Sequence, residues 1–289
     1  MLVDLVQTTT RDGLRLDGVF LAPSGSISSA IGVDAFCFLH GTGGNFYTSS
    51  LFDDLVERLR SLGCAVLRVN TRGHDGVSTA STDHGGRRQG AAYEVVDHCR
   101  HDVAAWLTWL RQRVGPRLGL LGHSMGAIKC LYALAHEPQN APVCAVAISP
   151  PRLSYSWFCS SPEGADFLQT YRLAEQYAAN GQAGTILEVK LPLPLLITAG
   201  GFLEKYGPDE RYNYLRFVSG VSCPTLITLG SVEVANNMAF RETSQAVQEL
   251  ATKRQNLHVE TIADGDHFYN GVREALSARL EAWLRRTLN

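Results

Sequence analysis

Short, continuously apolar runs alternate with longer amphipathic stretches from residue 35 to the end of the chain. The runs AFCFLH (35–40), CAVLRVN (64–70), RLGLLGHS (117–124), VCAVAIS (143–149), PTLITLG (224–230) and LHVETIA (257–263) have the length of strands. Apolar runs of this kind, separated by helical stretches, predict an α/β protein with a mostly parallel sheet and helices on both of its faces. Residues 49–63 place Leu51, Leu55 and Leu59 at helical spacing and end at Gly63, a residue that suits a helix C-terminus. Ala91 to about Arg113 places Val95, Val103, Trp106 and Leu110 on one face. Two more helices are expected, one from Met125 to about His136 and a closing one over 271–288. Residues 2–9 and 14–21 flank Asp12-Gly13, a turn signal that predicts an antiparallel hairpin ahead of the parallel strands.

The rhythm breaks over 150–220, which hold Pro150, Pro151, Pro162, Pro192, Pro194 and Pro208 together with many aromatic residues. The stretch is too apolar for a disordered linker. It is expected to be a cap inserted into one core made of residues 1–149 and 221–289. A chain of 289 residues suits one large core with such an insertion. The formal charge of −2 gives no basic footprint for nucleic acid. The N-terminal MLVDLVQTTTRDG has no basic stretch leading into a long apolar run, so no secretory leader is expected. No apolar run approaches the ~18 residues of a membrane span. Seven cysteines (37, 64, 99, 130, 144, 159 and 223) lack metal-binding spacing and read as reduced core thiols, consistent with a cytoplasmic protein. The oligomeric state is not legible.

Gly122-His123-Ser124-Met125-Gly126 falls between a predicted strand and a predicted helix. A sharp turn there holds Ser124 in strained backbone geometry, with room only for small flanking residues. It would expose the hydroxyl at the C-terminal edge of the sheet, where the helix N-terminus favours developing negative charge. A serine hydroxyl becomes a nucleophile when a base takes its proton. His267 follows the last predicted strand, in Asp264-Gly265-Asp266-His267-Phe268, and so falls on the same sheet edge. His40 begins a loop and His123 lies inside the turn. His74, His84, His136 and His258 fall in loops or at element ends. His98 and His101 share a helix face with Asp97 and Asp102, which reads as a solvated face; no metal and no cofactor are expected. The base in turn needs a carboxylate to fix its tautomer. Glu233, three residues past Gly230, is the candidate, with an exposed loop charge as the alternative reading. The loop Ser149-Pro150-Pro151-Arg152 offers no carboxylate, and Asp264 and Asp266 lie too near His267 in sequence to reach its far nitrogen easily.

The order serine, acid, histidine and the strand–turn–helix around Ser124 resemble the α/β-hydrolase superfamily in its esterase and lipase-like branch. The resemblance covers nearly the whole chain outside 150–220. It extends to His40-Gly41-Thr42-Gly43-Gly44-Asn45, similar to the family's oxyanion loop, and it implies that the backbone N–H groups of Thr42 and Met125 bind the oxyanion. Asn70-Thr71-Arg72-Gly73-His74-Asp75-Gly76-Val77-Ser78 also resembles a family segment, with Asn70 where Asp is frequent. Glu233 is a second departure, since Asp is the commoner acid. The implied activity is hydrolysis of a small carboxylic ester through an acyl-enzyme on Ser124. Amide, thioester or C–C cleavage, or acyl transfer, by the same residues is the alternative, and a non-catalytic binding protein is a third reading. Phe46, Tyr47, Trp157 and Phe158 are candidate walls of an acyl or aryl pocket. Arg152 enters the cap just beyond a core strand and is a candidate to receive a substrate carboxylate, with an exposed or ion-paired arginine the favoured reading.

Overall fold

The computed structural model describes residues 3–25 and 29–288. Strands β1 (Asp4–Thr9) and β2 (Arg15–Leu21) form the expected antiparallel hairpin; residue 2 of the predicted range lies outside the described residues. The chain continues through β3 (Ala35–Leu39), α1 (Ser50–Ser61), β4 (Ala65–Val69), β5 (Ser78–Thr82), β6 (Gly85–Gln89), α2 (Cys99–Val114), β7 (Leu118–His123), α3 (Met125–His136) and β8 (Cys144–Ile148). After an insertion come β11 (Thr225–Gly230), α7 (Ser231–Asn236), α8 (Thr243–Ala251), β12 (Leu257–Ile262) and α9 (Arg273–Leu288). The insertion itself holds α4 (Tyr155–Ser160), α5 (Gly164–Ala179), the antiparallel pair β9 (Ile186–Val189) and β10 (Leu195–Thr198), and α6 (Ala199–Tyr206).

Among the described residues one sheet has the order β1-β2-β4-β3-β7-β8-β11-β12. All its pairings from β4 to β12 are parallel. Successive residues of a strand point to opposite faces, and the two cores follow that alternation. Cys37, Leu39, Leu67, Leu120 and Ala147 face α2, α3 and the insertion. Phe36, Phe38, Val66, Leu121 and Val146 face α1 and α9. Doubly covered strands are buried throughout, which is why they read as unbroken apolar runs. The chain order reverses around β3, with β4 on one side and β7 on the other. Loops leaving the carboxyl ends of strands at such a point diverge and leave a crevice.

One expectation changes, and one pair of strands was not expected. The helix predicted from Ala91 begins with a 3₁₀ turn at Val96–His98 and becomes α-helical at Cys99. Ala91 and Ala92 instead donate to the carbonyls of Asp75 and Gly76, and Ala92 accepts from Thr198, so extended backbone contacts displace the first helical turn. The hairpin β5–β6 carries no apolar pattern because nearly all of it is exposed. The seven cysteines are free thiols, six of them buried. No described helix is long and apolar enough to cross a membrane.

Candidate active site

Ser124 follows the last residue of β7 and precedes α3, with φ 58° and ψ −124°. Its two flanking glycines are required by close backbone approach. A Cβ on Gly122 would lie 2.2 Å from the carbonyl oxygen of Gly126, and one on Gly126 would lie 2.1 Å from that of Leu39. The left-handed backbone at a non-glycine residue is strained, and the surrounding packing holds it in place. Ser124 lines a cavity of about 520 Å³ whose wall also includes Gly41, Thr42, His123, His267 and Phe268.

His267 stands on the loop between β12 and α9. Its Nδ1 lies 2.8 Å from Oε2 of Glu233. A carboxylate only accepts, so Nδ1 carries the proton and the neutral ring keeps its lone pair on Nε2. Glu233 sits in the first turn of α7 and is buried. Its Oε1 accepts from the Gly230 N–H at 2.8 Å and from the Ser149 hydroxyl at 2.5 Å. Asp266, one residue before the histidine, is occupied otherwise. It accepts from the N–H groups of Phe268 and Asn270 and from the Asn270 amide. Burial works to raise the Asp266 carboxyl, but these donors hold it below the ordinary range. Among the described residues no hydrogen bond joins the Ser124 hydroxyl to His267; in unliganded sites of this kind that contact commonly closes only with substrate.

His123 packs against His267 with ring centroids 4.7 Å apart. Its Nε2 lies 2.7 Å from the His267 carbonyl oxygen, so it donates there and ties the elbow to the histidine loop. Burial, and then the neighbouring His267 ring, push His123 down to about 3, so it stays neutral. Burial and then the Lys129 ammonium do the same to His40, also to about 3. The Thr71 N–H donates to His40 Nε2, which leaves the proton on Nδ1 to donate to the Gly41 carbonyl. Thr71 is held by Lys129, whose ammonium pairs with Glu94 at 2.5 Å in full burial. Asn70 accepts from the Phe46 N–H and Asn45 donates to Asp75, so the Gly41–Asn45 loop is fixed at its C-terminal end. The Thr42 and Met125 N–H groups have no acceptor among the described residues.

The predicted pocket walls fare differently. Phe158 is fully buried inside the insertion against Phe167 and Tyr206, so it does not reach the cavity and the expectation for it is corrected. Trp157 donates its indole N–H to the Met238 carbonyl and stacks on Arg152, so both are engaged away from the cavity wall. Phe46 and Tyr47 pack edge to face against each other, with Tyr47 63% exposed, and neither is part of the wall. Its apolar part is Phe52, Leu193, Pro194 and Phe268. No charged Asp, Glu, Lys or Arg side chain lines it among the described residues. Asp102 is also corrected. It is fully buried and bonds Arg72 rather than lying on a solvated face. Neither the wall residues of the insertion nor the Ser149 contact with Glu233 was foreseen; a hydroxyl ending the strand beside β7 was the available signal for the latter.

The sequence model of the alpha/beta hydrolase family matches residues 38–279, which spans all three of Ser124, Glu233 and His267. The chain belongs to the alpha/beta hydrolase family. Solved structures similar to this hydrolase share its fold across almost the full length. The alpha/beta hydrolase GrgF from Penicillium sp. sh18 superposes with a TM-score of 0.71 at 16% identity, covering 100% of this chain and 99% of that one. Est1E from Butyrivibrio proteoclasticus, solved with ferulic acid bound, gives 0.66 at 15% identity and covers 98% and 99%. The Pyrococcus furiosus esterase Pf2001 gives 0.61 at 19% identity and covers 100% and 94%. No curated protein matches this hydrolase at a significant level.

Proposed function

We propose that this hydrolase cleaves uncharged carboxylic esters through an acyl-enzyme on Ser124, with His267 as base and acid and Glu233 as the carboxylate behind it. The observation that carries the reading is the His267 Nδ1–Glu233 Oε2 bond of 2.8 Å beside a strained serine in the same cavity. That bond leaves Nε2 free to take the serine proton as Oγ attacks the ester carbonyl. The resulting oxyanion would be met by the Thr42 and Met125 N–H groups, each such donor contributing about 3–4 kcal/mol in comparable sites. Collapse returns the proton from Nε2 to the leaving alcohol. Water then enters, gives its proton to Nε2, attacks the acyl carbon and releases the acid with Ser124 restored.

The uncharged wall supports a neutral substrate, because a carboxylate or ammonium would lose hydration there without a partner. Leu193 and Pro194 reach the wall from the insertion, which supports a capping role for 150–220. The Pyrococcus furiosus esterase among the similar folds agrees with the ester reading. A panel of nitrophenyl esters of graded chain length, run beside amides and thioesters, tests it. Ester turnover is expected to exceed the others. Amide or thioester turnover in its place would move the substrate class, and no turnover together with no fluorophosphonate labelling would refute the enzyme.

A further inference from the structure

Among the described residues, seven non-glycine positions have a left-handed backbone, and two of them after Ser124 meet behind the acid. Ser149 (φ 49°) immediately follows β8 and Tyr269 (φ 55°) lies two residues past His267. Both are fully buried, as is Thr228 in β11. The Ser149 hydroxyl lies 2.5 Å from Glu233 Oε1 and 2.9 Å from the Tyr269 hydroxyl. The Tyr269 hydroxyl lies 3.2 Å from that of Thr228.

Each proton in this cluster has one consistent place. A carboxylate accepts only, so Ser149 donates to Glu233. Its oxygen then takes the Tyr269 proton, and the Tyr269 oxygen takes that of Thr228. Burial, and then the Glu233 charge, push the Tyr269 phenol above its ordinary range, so it keeps the proton that it donates. The three hydroxyls therefore run in one direction and end on the carboxylate, an arrangement in which each bond polarises the next. Oε1 is held by Ser149 and Gly230, which turns Oε2 towards His267. Glutamate has one more rotatable bond than aspartate, and the chain of hydroxyls removes that freedom.

We infer that Ser149 and Tyr269 are positioning residues that act through Glu233, locking a longer acid in place behind His267. The inference rests on the proposed role of Glu233. Steady-state kinetics of Ser149→Ala and Tyr269→Phe, alone and combined with Glu233→Gln, test it. Ser149→Ala is expected to lower kcat about 10–100-fold, the scale seen when outer partners that orient a functional ligand are lost. KM should stay within about twofold, since neither residue lines the cavity, and Tyr269→Phe should give a smaller fall of the same kind. In the Glu233→Gln background both effects should shrink to about twofold or less, because residues acting through one group are not additive. A role confined to packing would instead lower thermal stability and add in full to the Glu233→Gln loss. That result, or wild-type kcat in both single variants while Glu233→Gln is impaired, overturns the inference alone. Wild-type turnover in Glu233→Gln overturns the acid reading and the inference with it. Should Ser149→Ala fail to fold, Tyr269→Phe carries the test, since it keeps the ring.

Discussion

At the scale of single residues, the local motif was the legible part. Ser124 announces itself through two glycines that no larger residue could replace, since each backbone touches another carbonyl. His267 was legible from its place after the last strand, and Glu233 from its place after the strand before it. The hydroxyls of Ser149 and Tyr269 were not, because they come from positions 84 and 120 residues apart along the chain from their partners. The aspartates near His267 provide the comparison that decides the acid. Glu233→Gln is expected to lower kcat by orders of magnitude, about 10⁴-fold in a comparable triad. Asp264→Asn and Asp266→Asn should keep kcat within about tenfold, since Asp266 serves the turn that follows it. Paired steady-state assays of the three variants check this, and a dead aspartate variant beside an active Glu233→Gln would reassign the acid.

At the scale of elements, strands buried on both faces declare themselves, whereas polar or redirected segments do not. The β5–β6 hairpin is exposed and polar, and the stretch before α2 trades a helical turn for contacts to 75, 76 and 198. The reason for the second becomes visible only in three dimensions, where Glu94 turns inward to Lys129 with Lys205 of α6 close by. Burial works to raise the Glu94 carboxyl, but the two ammonium groups prevail and hold it low. This pair joins α3 to the loop that carries His40, through Thr71. Glu94→Gln leaves buried cations without a counter-charge, and removing one partner of such a pair costs about 3–5 kcal/mol. Urea denaturation is expected to show that loss, and a wild-type midpoint would refute the structural weight given to the pair.

At the scale of the whole molecule, the sheet edge that gathers the candidate residues also carries two buried neutral histidines. His40 and His123 are both held at about 3 against an ordinary 6.5. Between those values the unfolded chain binds protons that the folded chain refuses, so stability is complete above about pH 6.5 and falls as pH drops towards 3. With two such groups the slope reaches about 2.7 kcal/mol per pH unit. Urea midpoints at pH 7 and pH 5 are expected to differ in that direction, and equal midpoints would contradict the buried neutral state. The central claim, a covalent acyl intermediate on Ser124, is open to one direct measurement. The protein is quenched in acid during turnover of a nitrophenyl ester, digested and read by mass spectrometry. The acyl mass is predicted on the peptide holding Ser124 and absent from Ser124→Ala, whose turnover should fall about 10⁶-fold as in a comparable triad. An adduct on another residue, or near-normal turnover by Ser124→Ala, would contradict it.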